Sequence, residues 1–194
     1  MSRRAVWRTR LVTLAIVLGC VVLATVGIRV SEREVGFQVV RAKLGSTVSI
    51  NEGEVSVDNV RVGDRLFEDG AVSDQTPGMF VVVQVTASAT GSESLVLSQS
   101  QLLSGDRVYK VYSALSNITV VPGFQTKQDL VYEVDPHRID GLTLELWRLE
   151  VVSGYHQRVR VPLGISSRNA DDWRAQGHRL IGEPDTAGTT RVIP

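Results

Sequence analysis

The sequence predicts an all-β antiparallel sandwich placed behind one N-terminal transmembrane helix. Three observations carry that prediction. Leu11 to Ile28, LVTLAIVLGCVVLATVGI, holds no charge and has arginines on both sides. From Thr47 onward apolar residues tend to alternate with polar ones, and turn formers recur about every ten residues. No apolar stripe of helical period follows the first segment.

The apolar segment comes first. As a helix, its residues rise about 27 Å, close to the roughly 30 Å of a bilayer's hydrocarbon core. Val30 lengthens it if Arg29 snorkels to the interface, which gives a span over residues 11–30. Leu11, Val12, Leu14, Ile16, Leu18, Val21, Leu23, Val26 and Ile28 make its apolar body, so the lipid bilayer is the first expected partner. Arg3, Arg4, Arg8 and Arg10 precede it, with no acidic residue nearby. The positive-inside rule then keeps residues 1–10 in the cytoplasm and places the rest outside the cell membrane. A cleaved signal peptide, cut after Ala24, is the main alternative and would yield a secreted ligand-binding protein. Val17-Leu18-Gly19-Cys20 resembles a lipobox, but the residues after Cys20 stay apolar. Ser2-Arg3-Arg4 lacks the rest of a twin-arginine signal. Hydrophobicity that continues through Ile28 favours the uncleaved span.

Charge is distributed unevenly. The chain has 21 basic and 21 acidic residues, but five arginines and no acid lie before residue 31. The external part is therefore acidic, which argues against nucleic acid as a partner. Cys20 is the only cysteine, so the external domain has no disulfide and no thiol chemistry.

Residues 31–46 read as a juxtamembrane stem that becomes structured near Val39. The sandwich domain is expected over residues 47–165. Val48 and Ile50 alternate, and Asn51-Glu52-Gly53-Glu54 reads as a hairpin turn because Asn and Gly accept positive φ. Val55, Val57, Val60 and Val62 follow, with a phase shift at Asp58-Asn59 that predicts a bulge. Gly63 to Gly78 reads as a long polar loop. Met79 to Ala89, MFVVVQVTASA, reads as a strand covered on both faces or central in a sandwich. Leu95, Leu97 and Leu102 suggest its return strand. Turns are expected at Thr90-Gly91-Ser92, Gly105-Asp106 and Pro122-Gly123. Leu130, Tyr132 and Val134 alternate up to Asp135-Pro136. Leu142 to Val151 reads as one long strand, with Trp147 opposite Leu144 and Leu146. Val159 and Val161 read as the last strand, closed by Pro162. Residues 166–194 show no periodicity and are expected to be a flexible tail.

With the strands placed, Gly78 to Gly91, GMFVVVQVTASATG, resembles the core of the DUF4352-type immunoglobulin-like domain. Leu102 to Tyr112, LLSGDRVYKVY, is similar to that family's segment with a Gly-Asp turn followed by Tyr. Val121-Pro122-Gly123 and Leu130 to Val134 resemble its Pro-Gly turn and following strand. The likeness spans Thr47 to Ile165 and departs at Ala89, where the family usually has Asn before the Thr-Gly turn. It implies an immunoglobulin-like sandwich in membrane-anchored or secreted bacterial proteins, and it brings no catalytic residues.

The residues for chemistry are few. His137, His156 and His178 follow no metal-binding spacing. Asp64, Glu68, Asp69 and Asp74 are calcium candidates in the expected loop, yet they do not follow the EF-hand order. No Gly-x-Ser-x-Gly elbow or phosphate-binding glycine loop occurs. An envelope hydrolase would have to use His137 or His156 with nearby carboxylates. Tyr109, Tyr112, Tyr132, Trp147 and Tyr155 are candidates for a binding face. Tyr109 and Tyr112 are an odd number apart, so a regular strand points them opposite ways. Asn117-Ile118-Thr119 fits a glycosylation sequon, which matters in a host that reads it. The sequence calls for no cofactor. It leads us to expect a non-enzymatic interaction module of a bacterial cell envelope, binding an envelope protein or a cell-wall polymer.

Overall fold

A computed structural model describes residues 37–112, 117–149 and 156–193. The membrane set Leu11–Ile28 and the arginines Arg3, Arg4, Arg8 and Arg10 lie outside these residues. Among the described residues no helix is long and apolar enough to cross a membrane. The compact unit that holds the sandwich starts at Gln38 and runs to Pro194.

The chain is mostly β. The strands are β1 (Phe37–Arg41), β2 (Thr47–Ile50), β3 (Gly53–Glu68), β4 (Ala71–Ser88), β5 (Leu95–Leu97), β6 (Gln99–Ser104) and β7 (Arg107–Lys110). They continue with β8 (Ile118–Val120), β9 (Phe124–Val134), β10 (Thr143–Trp147) and β11 (His156–Pro162). A short helix, α1 (Ala170–Gln176), precedes β12 (Leu180–Ile181) and β13 (Thr189–Val192). Sheet A has the order β1-β11-β10-β6-β7. Sheet B has the order β12-β3-β4-β9-β13, with β2 also on β3. β5 and β8 form a separate ribbon.

Period two decides which side chains meet. Sheet A turns Leu102, Leu144, Leu146, Val159 and Val161 inward. Sheet B turns in Val81, Val83 and Val85 of β4 and Leu130, Tyr132 and Val134 of β9. These residues share one core, so the two sheets form the layers of a sandwich. Leu95, Leu97, Ile118 and Val120 of the ribbon join the same core.

The bulge expected near Asp58 is present. Register jumps between Val57 and Asn59, so Val55 and Val57 point inward before it and Val60 and Val62 after it. Asp58 accepts hydrogen bonds from Ser56 Oγ at 2.7 Å and Thr86 Oγ1 at 2.5 Å, which holds the extra residue. β4 is central, between β3 and β9, and its Phe80, Val81, Val82 and Val83 are fully buried.

Several expectations are corrected. Gly63–Gly78 is not a loop: β3 runs on to Glu68 and β4 begins at Ala71, so most of it is a hairpin. The turn is Asp69-Gly70, with φ of 51° and 82°. Two successive positive φ values make the tight turn whose twist matches the strands. The polar composition hid this Asp-Gly signal. The tail carries regular structure as well. α1 buries Ala170 and packs Trp173 on the core; β12 pairs in parallel with β3, and β13 antiparallel with β9. Thus the domain extends beyond residue 165, and β11 is not the last strand. Leu95 and Leu97 pair with β8 rather than returning along β4. β10 ends at Trp147, and Leu149 is exposed.

The Asn51-Glu52 turn also differs in its cause. Among the described residues Asp69 is the one non-glycine with positive φ, and Gly53 does not share that geometry. Gly53 is needed for close approach: a Cβ there would stand 2.0 Å from the Ser88 carbonyl oxygen. Gly53→Ala should therefore cost about 1–3 kcal/mol, as overpacking does. Gly182→Ala, where a Cβ meets nothing within 4 Å, should leave stability nearly unchanged. Urea denaturation of the two variants checks the contrast.

Candidate binding site

The outer face of sheet B carries a half-open cleft of about 330 Å³. Its floor comes from strand alternation. Opposite the core-facing residues of β4 and β9 lie Phe80, Val82 and Val131, which form a second apolar cluster with Leu66 and Ile181. The bulge after Gly63 brings Leu66 onto this face. Glu68, Ser73 and Asp74 of the hairpin form one rim, and Pro184 and Thr186 form the opposite one.

Tyr112 lines the cleft between them. Its ring meets Phe80 edge-on at 5.2 Å, and its main-chain N–H donates to Val131 O at 2.7 Å. Its hydroxyl donates to Asp74 Oδ2. That bond, aided by desolvation and by the charges of Asp74 and Glu133, raises the phenol above its ordinary value of 10.0. The other Asp74 oxygen accepts from Gln75 N at 2.8 Å.

The far rim belongs to the tail. Residues 182–188 cross the outer face as a strap, held by Asp129. This carboxylate is buried, accepts from Arg61 at 2.5 Å, and accepts from Asp185 N at 3.0 Å. Asp129 N in turn donates to Asp185 O at 2.9 Å. Asp185 closes its own turn by accepting from Gly188 N at 2.8 Å and Thr189 Oγ1 at 2.6 Å. Gln128 Nε2 reaches Thr186 O at 2.9 Å. A rigid polar latch thus fixes one wall of the cleft.

The predicted residues separate. Glu68 and Asp74 reach the cleft, while Asp69 occupies the turn. Asp64 faces Arg65 at 3.1 Å and His178 Nδ1 at 3.4 Å. Burial pushes its carboxyl up, but the hydrogen bonds from both partners and the Arg65 charge outweigh it, leaving the group below its ordinary value. Among the described residues no three His, Cys, Asp or Glu side chains gather as a metal ion requires. The four calcium candidates therefore form no common site.

His137 lies on the 3₁₀ turn Pro136–Arg138 and is exposed. The neighbouring Asp135 is occupied elsewhere: one oxygen accepts from His137 N at 2.9 Å and the other faces Arg107 at 3.4 Å. The His156 side chain and Tyr155 lie outside the described residues. Of the aromatic candidates, Tyr132 is buried in the core and Tyr109 packs against it. Tyr112 lines the cleft, and Trp147 stands on the outer face of sheet A under the Arg158 guanidinium at 4.7 Å. Sequence reasoning missed Pro184, Thr186 and the Asp129 latch. The available signal was an acid, Asp129, inside an apolar strand pattern.

The fold and its cleft define a two-layer β-sandwich with an open groove on one outer face. The sequence matches no protein-family model and no curated protein. Among solved structures it is similar to the yjhA protein of Bacillus subtilis, at 14% identity and a TM-score of 0.46, over 61% of this chain and 98% of that one. An uncharacterized beta-sandwich protein of Clostridium difficile 630 aligns at 8% identity and a TM-score of 0.42, over 66% and 97%. A conserved hypothetical protein of Bacillus anthracis aligns at 17% identity and 0.42, over 60% and 93%.

Two predictions follow from the latch and the rim. Asp129→Ala removes the acceptor shared by the half-buried Arg61 and the Asp185 amide, so it should cost about 1–3 kcal/mol. Amide exchange over residues 182–192 should rise first, and hydrogen-exchange mass spectrometry reads it. For Tyr112, the hydrogen bond favours the neutral phenol, so its stabilisation is complete below the ordinary pKa and fades as pH rises through the raised one. Asp74→Asn should bring the Tyr112 titration down towards its ordinary value. The phenolate absorbance lost on Tyr112→Phe identifies that titration.

Proposed function

We propose that this chain is a non-enzymatic binding module of a bacterial cell envelope. In this reading it is a DUF4352-type immunoglobulin-like sandwich, carried outside the cell membrane by a single span over residues 11–30 with the N-terminus in the cytoplasm. The cleft on sheet B is where an envelope protein or a wall polymer docks.

One observation carries the reading most of the way. The cleft combines an apolar floor, Leu66 and Val131, with hydrogen-bonding rims at Glu68, Ser73 and Thr186. Binding sites of this kind draw affinity from the floor and orientation from the rim. Both rims are fixed before a partner arrives, one by the hairpin and one by the latch, which lowers the ordering cost of association. The four leading arginines and the uncharged segment after them support the placement outside the membrane.

Crosslinking in intact cells tests it. Cells producing the full chain at native level are crosslinked, and the protein is isolated from the membrane fraction. A reproducible envelope partner is expected. Ser73→Trp fills the cleft at an exposed position and should abolish recovery of that partner while leaving the chain in the membrane. Undiminished recovery with Ser73→Trp would remove the cleft from the reading, and absence of the chain from membranes would remove the span.

A further inference from the structure

The opposite face of the sandwich holds a second groove, and its chemistry is different. On β10, Thr143, Glu145 and Trp147 point away from the core. Their cross-strand neighbours are Pro162, Arg160 and Arg158 on β11, and Leu103, Gln101 and Gln99 on β6. A groove of about 490 Å³ opens at the Thr143 end of this face.

Glu145 explains how the face is organised. It lies on the solvent side of sheet A, yet only 1% of it is exposed. Arg160 Nε donates to it at 2.8 Å, Arg158 at 3.4 Å, and Gln101 at 2.6 Å. A buried carboxylate bound by two guanidinium groups adds little net stability over an apolar residue. Its effect is positional: it fixes Arg158 and Arg160 against the sheet. Arg160 then lines the groove in a held geometry, and Ala42 N donates to Arg160 O at 3.0 Å, which brings the end of β1 and Arg41 alongside.

The charge at this place runs against the rest of the domain. Arg41 and Arg160 line the groove, and among the described residues no acidic side chain does. The remaining walls are apolar, with Leu103, Pro162 and Ala42, and Thr143 adds a hydroxyl. Gly105 and Gly141 border it at φ of 59° and 69°.

We propose that this groove binds a small amphipathic anion. A carboxylate or phosphate monoester sits with Arg41 and Arg160, and a short alkyl or acyl body lies along Leu103 and Pro162. Two guanidinium groups are the preferred partners of such oxyanions. The volume is that of a small-ligand site. This site is independent of the cleft on sheet B and does not rest on the function proposed for it.

The test uses the full chain in phosphatidylcholine nanodiscs, with empty nanodiscs as the blank. Hexyl phosphate and hexanoate are the probes, and titration calorimetry is the readout. Saturable binding at or below about 1 mM is expected, weakening at least about tenfold in Arg41→Glu. Arg41 is exposed, so this variant should keep the thermal midpoint of the parent. Leu103→Gln should weaken hexyl phosphate more than inorganic phosphate. Four outcomes would overturn the proposal: no saturable binding up to about 10 mM, binding unchanged in Arg41→Glu, hexanol binding as well as hexyl phosphate, or inorganic phosphate binding as well as hexyl phosphate.

Discussion

Sheet B is apolar on both faces, and a two-layer sandwich covers only one of them. Phe80, Val82 and Val131 point away from sheet A yet are buried. Left in water, each would forfeit roughly 1.5–3 kcal/mol of burial. Something must lie over them. The chain answers with its own C-terminal segment, which places Ile181 in that cluster and Pro184 and Thr186 beside it. The parallel pairing of β12, the close approach at Gly63 and the strap all serve this cover. A Cβ at Gly63 would stand 2.3 Å from the Arg179 carbonyl oxygen, so the glycine is what admits the returning chain.

Beyond Ile181, which packs into the apolar cluster, the cover is held largely by polar contacts. β13 has four exposed residues, and its pairing with β9 is made through the backbone and through the polar pairs Thr126–Thr190 and Gln125–Arg191. The grip comes from Asp129, where Arg61 and the Asp185 amide meet one buried carboxylate. Such a centre is exacting, because a buried polar group left without its partner is costly. It fixes where the strap lies, and hence the shape of the cleft at its edge.

That division explains what could be read from the residues. The core-facing alternation, the Asp58 bulge and the doubly covered character of β4 follow from side-chain period and were legible. The run Phe80 to Val83 even announced that a cover must exist, because a one-sided strand would alternate. What covers it was not legible. A segment held by main-chain pairing and polar side-chain bonds has no apolar period, and residues 182–192 read as disorder by composition. The hairpin at Asp69-Gly70 was legible in principle, but two bulges break the alternation around it. The cleft was therefore visible only through Glu68 and Asp74, and for a chemistry, calcium binding, that the geometry does not assemble.

The two outer faces solve the same problem in different ways, and the difference bears on function. On sheet B the apolar excess is covered by the chain, and the leftover space beside the strap is a cleft with an acidic rim. On sheet A the outward residues are mixed: Gln99, Gln101, Thr143, Arg158 and Arg160 stand among the apolar Leu103, Trp147 and Pro162. There a single buried acid, Glu145, organises the arginines instead. In both places one carboxylate with fixed partners sets the geometry of a neighbouring groove. Stability alone does not require this, since apolar side chains at Asp129 and Glu145 would fill the same space without desolvating a charge. Orientation does require it, because only directional bonds hold a strap or a guanidinium group in one position. The sandwich supplies the rigid frame, and these two acids determine what its faces present.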